Sequence, residues 1–210
     1  MYGIHPENIF YYITTLNENY YMPSMPKGVE EGICKGIYKL ESLLSGTKKV
    51  QLIGSGAILR QVRIAAQILC EEYKITVDVY SATSFTEIAR NGQDCIRWNT
   101  LHPMKKPRIP YVSQIMHAAP IIASTDYIKL FAEQIRNFLP SNIFKVLGTD
   151  GFGRSDSREN LRKHFEVNSE YIVVNALSAL YEENSIASEI VIQAIKKFNI
   201  DIDKINPRLV

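Results

Sequence analysis

The sequence predicts an α/β fold of three layers, in which a mostly parallel sheet with one antiparallel strand lies between two layers of helices. Two observations support this class. Short apolar runs typical of buried strands, such as residues 50–53 and 143–147, alternate with segments whose apolar residues recur at helical spacing. That order of strand, helix and strand is typical of parallel sheets with crossover helices. The 210 residues are enough for one core domain of this kind.

The first strand predicted in this domain is 36–44, and the strand 50–53 follows after a short connection. The connection contains Gly46 and has the length of a hairpin turn. We therefore expect these two strands to pair with each other in antiparallel orientation.

A strand-helix-strand unit comes next, and it ends in the predicted strand 75–79. The helix between the strands carries apolar residues at helical spacing, namely Ile58, Val62, Ala65, Ala66 and Leu69. The two flanking strands should be parallel. Ser84 and Glu87 then form the pattern of a capping box that opens another helix, in which Gly92 is expected to cause a break or a bend.

The second half of the domain is predicted to contain two further strands and three helices. The strand 120–124 precedes a helix over 127–139, and Pro140 closes that helix. Its predicted apolar face consists of Ile128, Phe131, Ile135 and Phe138. The strand 143–147 follows, and helices over 169–181 and 186–198 complete a covering layer.

Residues 1–27 have a different character from the rest of the chain. Residues 9–15 read as a strand, and the polar stretch after them is interrupted by Pro23 and Pro26. We expect residues 1–27 to be the end of a preceding domain with a linker arm, and 28–210 to be the α/β domain.

Composition and charge argue against several classes of protein. There are 24 Lys and Arg residues against 22 Asp and Glu, and the basic residues are dispersed, so nucleic-acid binding is not expected. No apolar run is long enough to span a bilayer, and the N-terminus lacks the pattern of a signal peptide. We expect a cytoplasmic location and no membrane partner.

The three cysteines show neither metal-ligand spacing nor a C-x-x-C motif. Reduced structural thiols are expected. Cys70 continues the apolar face of its helix and should be buried, whereas Cys34 and Cys95 are undecided.

The densest cluster of reactive side chains follows the strand 143–147. Asp150, Arg154, Ser155 and Asp156 lie in a glycine-rich turn, at the end of a parallel strand where α/β sheets commonly bind ligands. His164 lies further along the helix that Asp156 and Glu159 are predicted to open as a capping box. We favour a structural or interface loop over a binding site, because opposite charges in sequence can simply stabilise the turn.

A second candidate is the turn Gly54-Ser55-Gly56, which follows a strand and opens a helix. Its amide groups could hold a phosphate or carboxylate. The turn lacks the third glycine of a dinucleotide motif and the Gly-Lys-Ser/Thr of a P-loop, so a tight strand-to-helix turn is the favoured interpretation. No serine, histidine and acid can be assigned as a hydrolase triad.

Three stretches, residues 10–20, 83–95 and 148–165, closely resemble the homodimeric bacterial decarboxylating component of the pyruvate dehydrogenase complex. The resemblance extends to residues 203–209 and points to that enzyme's C-terminal third. It implies a transketolase C-terminal-like domain, and the chain is expected to be a fragment of the enzyme.

The resemblance also implies what the complete enzyme does. It decarboxylates pyruvate with thiamine diphosphate and magnesium, and passes the acetyl group to the lipoyl group of the acyltransferase component. Its diphosphate-magnesium motif and activating glutamate belong to the N-terminal and middle domains. The Asp150-Gly151 pair departs from that motif because Thr149 precedes it.

No catalytic, cofactor-binding or metal-binding residue is therefore assigned in this chain. The expected partners are the remaining domains of the same polypeptide, a second subunit of a homodimer and the lipoyl acyltransferase component. The alternative is an autonomous anion- or nucleotide-binding regulatory module that uses residues 54–56 or 148–156.

Overall fold

The computed structural model describes residues 19–210, which form a five-stranded sheet with helices on both faces. The strands are β1 (Ile37–Leu43), β2 (Lys49–Gly54), β3 (Thr76–Ala82), β4 (Ile121–Ser124) and β5 (Phe144–Leu147). The helices are α1 (Glu30–Cys34), α2 (Leu59–Glu71), α3 (Phe85–Leu101), α4 (Tyr111–Ile115), α5 (Leu130–Glu133), α6 (Arg158–His164), α7 (Ser169–Glu182) and α8 (Ser188–Lys197). The strand predicted at residues 9–15 lies outside the described residues.

The sheet has the order β1-β3-β2-β4-β5. Strand β1 pairs with β3 in antiparallel orientation, and the other three pairs are parallel. The predicted mostly parallel sheet with one antiparallel strand is confirmed. The predicted hairpin between β1 and β2 is wrong, because β3 lies between them.

Hydrogen bonds of the β1–β2 connection explain the error. The amide of Gly46 donates to the carbonyl of Lys74 at 3.0 Å, and Thr76 Oγ1 donates to the carbonyl of Gly46 at 2.8 Å. The amide of Ser45 donates to Thr76 Oγ1 at 3.1 Å. The connection is therefore bound to the chain that enters β3, and it crosses that strand instead of turning back on β1.

Alternate residues of the strands supply two separate apolar cores. One core lies under α2, α7 and α8 and includes Val77 and Val79 of β3. The other lies under α3 and α4 and includes Ile53 and Tyr80. This alternation is the expected consequence of strand geometry, and it gives the predicted three layers.

Helix α3 runs continuously through Gly92, so a break at this residue is wrong, and the alternative expectation of a bend stays a prediction. A Cβ at position 92 would lie 2.5 Å from the Phe138 ring. The glycine thus lets an aromatic ring approach the helix closely. The cap at Ser84 is confirmed, since its side chain accepts a hydrogen bond from the amide of Glu87 at 3.1 Å.

The single helix predicted over 127–139 is replaced by α5 and a separate 3₁₀ turn at Arg136–Phe138. Thr149 occupies the backbone groups that would start a longer helix: its Oγ1 donates to the carbonyl of Asp126, and its amide donates to the carbonyl of Tyr127. As a result Ile128 and Phe131 are partly exposed instead of contributing to the core.

The helix after β5 begins one residue later than predicted. Ser157 is its N-cap and accepts a hydrogen bond from the amide of Asn160. Asp156 accepts hydrogen bonds from the amide of Ser157 and the side chain of Asn160 instead. Helices α7 and α8 agree with their predictions to within two residues.

Residues 19–29 form neither helix nor strand, and the domain boundary at 27 and 28 stays a prediction. The cysteines form no disulfide, but Cys70 is only half-buried, while Cys95 is buried and Cys34 exposed. Across residues 19–210, no helix combines the length and apolarity needed to cross a membrane.

Replacing Gly46 by alanine should destabilise the domain by roughly 2–4 kcal/mol, because a Cβ there would lie only 2.1 Å from the carbonyl oxygen of Lys74. Gly153→Ala is the matched control, since a Cβ at position 153 meets nothing within 4 Å. Urea unfolding of both variants measures the difference. Equal midpoints would contradict the close crossing of the β1–β2 connection.

Candidate functional site

The carboxyl ends of β2, β4 and β5 meet in register at one edge of the sheet. Gly54 lies level with Ser124, and Ser124 lies level with Leu147. The loops that follow these residues are therefore neighbours. Edges of this kind are where open α/β sheets place their ligands.

A cavity of about 360 Å³ lies at this edge. Part of its wall is apolar and consists of Ile58, Leu161, Phe165 and Val167. Its charged lining residues are Asp126, Arg154, Arg158 and Arg162. Among the described residues, the cavity therefore combines an apolar wall with three guanidinium groups and one carboxyl group.

Polar side chains fix the three loops to one another. Ser55 Oγ donates to Thr125 Oγ1 at 2.8 Å, and Thr125 Oγ1 also accepts the amide of Tyr127 at 3.2 Å. The loop after β5 is attached by Asp150, whose carboxylate accepts the amide of Lys129 at 2.9 Å. The loop after β4 is thus bound on both sides.

Close contacts with neighbouring atoms leave no room for a side chain at Gly54 and little room at Gly56. A Cβ on Gly54 would lie 2.8 Å from the Cα of Leu59. Gly56 has a φ of +53°, and a Cβ there would lie 3.3 Å from the carboxylate of Asp126. The favoured interpretation of a tight turn fits this geometry. The turn also brings the backbone of Gly56 close to Asp126, an acidic residue that lines the cavity.

Burial raises the pKa of the Asp126 carboxyl above its ordinary value, and a backbone hydrogen bond and the charge of Arg162 only partly oppose this. Arg162 in turn donates to the hydroxyl of Tyr20 at 3.0 Å.

The structure brings together some of the sequence-predicted site residues and separates others. Gly54, Ser55, Gly56, Asp150 and Arg154 lie at the carboxyl edge, and Arg154 lines the cavity. Ser155, Asp156 and His164 lie instead around a neighbouring depression that also contains Arg154. His164 Nε2 is buried and has no hydrogen-bond partner among residues 19–210.

Sequence reasoning missed Asp126, Thr125 and Arg162. Thr125 and Asp126 directly follow the predicted strand 120–124, and this position was the available signal for both residues. Arg162 lies on α6, and its place in the cavity depends on how that helix crosses the sheet edge.

A second polar cluster, also missed, lies on the opposite core face around Asp78. Its carboxylate accepts Ser42 Oγ at 2.5 Å, and it lies 2.9 Å from His117 Nε2 and 2.7 Å from Lys39 Nζ. The neighbouring Gln51 donates to the carbonyl of His117 at 2.7 Å. Asp78 is the centre of this cluster, and Ser42 and His117 bind it separately, so the arrangement is not a catalytic triad.

Burial alone would raise the pKa of Asp78, but hydrogen bonds from Lys39, Ser42 and His117 outweigh it and hold that pKa below its ordinary value. A lowered carboxyl pKa contributes stability above the ordinary value of 3.8, and this stability is lost as the pH falls through the folded-state pKa. The cluster should therefore stabilise the domain at neutral pH and lose that effect in acid.

Asp78→Asn should reduce the free energy of unfolding at pH 7 by about 1–2 kcal/mol, since hydrogen bonds to a charged group are lost. The difference from the unmodified chain should shrink below about pH 4. Urea unfolding across pH 3–7 measures this difference in the free energy of unfolding. Asp94→Asn is the control, because Asp94 is exposed. A difference that is constant with pH would contradict a charged Asp78.

Among the described residues, no group of three His, Cys, Asp or Glu side chains is arranged to hold a metal ion. The described residues that line the cavity offer guanidinium groups, the carboxyl group of Asp126 and an apolar wall. Among these described lining residues, no nucleophile is paired with a base.

Comparison with known proteins shows which family this domain belongs to. The chain is 63% identical over 209 residues to the C-terminal part of the pyruvate dehydrogenase E1 component of Escherichia coli K12, covering 100% of the chain and 24% of that protein. Identity is 66% to the same component of Buchnera aphidicola subsp. Acyrthosiphon pisum, also with 100% and 24% coverage. The chain thus spans about a quarter of the length of these relatives.

Solved structures agree on the fold. A transketolase from Leishmania mexicana has a TM-score of 0.51 at 18% identity, covering 72% of this chain and 19% of that chain. A transketolase from Pichia stipitis has a TM-score of 0.52 at 15% identity, covering 73% and 19%. Residues 36–168 match the transketolase-like TK C-terminal domain family, and the chain belongs to that family.

Proposed function

We propose that this chain serves as the C-terminal domain of a pyruvate-decarboxylating enzyme. The observation that carries the proposal is the 63% identity to the C-terminal part of an E1 component along the entire chain. The complete enzyme would decarboxylate pyruvate and pass the acetyl group to a lipoyl group. This domain would support assembly and help to form the entrance of the active site.

Thiamine diphosphate and magnesium would be bound by the other domains of that enzyme. The cofactor needs a carboxylate on one surface and a metal-bound diphosphate on another, and a single α/β domain supplies one wall of such a site. The contacts of Asp150 support this assignment. Its carboxylate already accepts a hydrogen bond from the amide of Lys129 and lies 4.0 Å from Lys129 Nζ. The residues present do not fit the cofactor.

An exposed apolar patch supports the role in assembly. It consists of Tyr127, Ile128, Leu130 and Phe131, whose relative exposures are 57%, 43%, 68% and 42%. Contiguous exposed apolar side chains commonly mark contacts with other protein surfaces. The occupant would be the rest of the polypeptide or the second subunit of a homodimer, in a cytoplasmic complex that includes the lipoyl acyltransferase.

A complementation assay tests the proposal. The E. coli relative is shortened by the segment that matches this chain and is produced with or without the 210-residue chain. Pyruvate oxidation should appear only when both pieces are present, because neither completes the active-site entrance alone. Activity of the shortened relative that does not change on adding this chain would contradict the proposed function.

Leu130→Glu should lower the restored activity at least about tenfold, since burying an unpaired charge in an interface costs several kcal/mol. Met104→Glu is the matched control, because Met104 is 94% exposed in the loop after α3 and lies outside the patch. Circular dichroism confirms that both variants fold. Equal restored activities of the two variants would show that the patch is not part of the interface.

Calorimetry of the 210-residue chain with magnesium and thiamine diphosphate checks the cofactor assignment. We expect no saturable heat in the micromolar range, since the ligands belong to other domains. Saturable micromolar binding would contradict that assignment without affecting the complementation result.

A further inference from the structure

We propose that residues 201–209 form a latch that holds helix α6 at the carboxyl edge of the sheet, and that release of this latch opens the cavity there. The latch contacts the chain both before and after α6. The inference rests on these contacts and does not depend on the proposed function.

Helix α6 forms part of the cavity wall, but burial does little to hold it there. Its residues Leu161 and Arg162 line the cavity. None of the seven residues of α6 is buried, and a helix this short is not stable by itself. Contacts from other parts of the chain must therefore keep α6 in place. The hydrogen bond from Arg162 to the hydroxyl of Tyr20 is one of them.

Lys204 of the latch supplies further contacts at the carboxyl end of α6. Its ammonium group donates to the carbonyl of His164 at 2.6 Å and to the carbonyl of Lys163 at 3.1 Å. The last carbonyls of a helix carry partial negative charge, so a cation placed on them is stabilising. Lys204 Nζ also lies 5.5 Å from the centroid of the Tyr171 ring. The latch is thereby attached to α7 as well as to α6.

The chain directly after α6 also depends on Lys204. Glu166 has a φ of +62°, in the left-handed region where glycine is the usual residue at a helix end. This conformation lets the amide of Val167 donate to the carbonyl of Arg162 at 2.9 Å. Lys204 Nζ lies 3.2 Å from Glu166 Oε1, and this ion pair offsets part of the backbone strain.

The latch also packs against the loop that leads into α6. Gly151 has a φ of +100°, and a Cβ there would lie 3.1 Å from the Cα of Arg208 and 3.1 Å from the carbonyl oxygen of Pro207. Pro207 is buried, and Asn206 Oδ1 accepts the amide of Arg208 at 3.0 Å. An ordered turn of the latch therefore fixes the chain before α6, as Lys204 fixes the chain after it.

Release of the latch frees the wall of the cavity and leaves its floor in place. The floor consists of Gly56 and the hydrogen-bonded pair Ser55 and Thr125, none of which contacts the latch through a hydrogen bond. The wall consists of residues in and after α6. The size of the molecule that the carboxyl edge admits is therefore set by the latch.

Hydrogen exchange of the 210-residue chain tests the latch with Lys204→Met, which removes the charge and keeps an unbranched side chain. Exchange of the Leu161 and Phe165 amides should become about tenfold faster, since charge-assisted hydrogen bonds to the helix end are lost. Lys197→Met is the matched control, because Lys197 pairs with a different glutamate, Glu72. It should leave both rates within about twofold.

Alkylation by iodoacetamide measures the opening of the cavity itself. Val167→Cys places a thiol in the cavity wall, where the native valine is 1% exposed. Adding Lys204→Met should make alkylation of this thiol about tenfold faster. Cys95 is the internal reference, because it is buried in α3 and its alkylation requires opening of the domain. Its rate should not change, and peptide mass spectrometry distinguishes the two sites.

Two results would overturn the proposal. The first is unchanged exchange of the Leu161 and Phe165 amides in Lys204→Met, which would show that the latch does not hold α6. The second is equal acceleration of alkylation at position 167 and at Cys95, which would show that Lys204 stabilises the whole domain instead. Neither result bears on complementation of the shortened enzyme.

Discussion

Strand β2 fixes the positions of the loops that form the candidate site. It is buried along five of its six residues, and it is hydrogen-bonded on both sides to parallel strands. Its end at Gly54 therefore cannot shift relative to Ser124, and β4 transmits the same constraint to Leu147. Helix α2 lies so close to Gly54 that no side chain fits between them. The position of the cavity floor is therefore set by β2.

The opposite core face depends on polar groups placed inside the sheet. Gln51 is completely buried, and its side chain binds the backbone of His117 and Ala119. Asp78 joins β1 to the same region through Ser42 and His117. Burying such groups is costly unless they are hydrogen-bonded, so the two side chains specify where the segment before β4 must lie.

The sequence predicts the local elements well because their signals are local. Apolar spacing placed β2, α2 and β4, and the Ser84 cap marked the start of α3. The partner of β1 could not be predicted, since the short connection around Gly46 suits either a hairpin or a crossing of β3. For the same reason Asp126 was missed: its role appears only once β4 is known to lie beside β2. The alternation of strand and helix patterns predicted the fold class, the family resemblance implied the same class, and the sheet order confirms it.

The loop after β4 belongs both to the cavity and to the exposed apolar patch. Asp126 lines the cavity, and the next residues, from Tyr127 to Phe131, form the apolar patch. The amide of Tyr127 is bound by Thr125 and that of Lys129 by Asp150, so this loop is held by the floor of the cavity. A protein surface that packs on the patch would therefore contact the same loop that lines the cavity, and the hydrogen bonds to Thr125 and Asp150 would oppose any displacement of that loop.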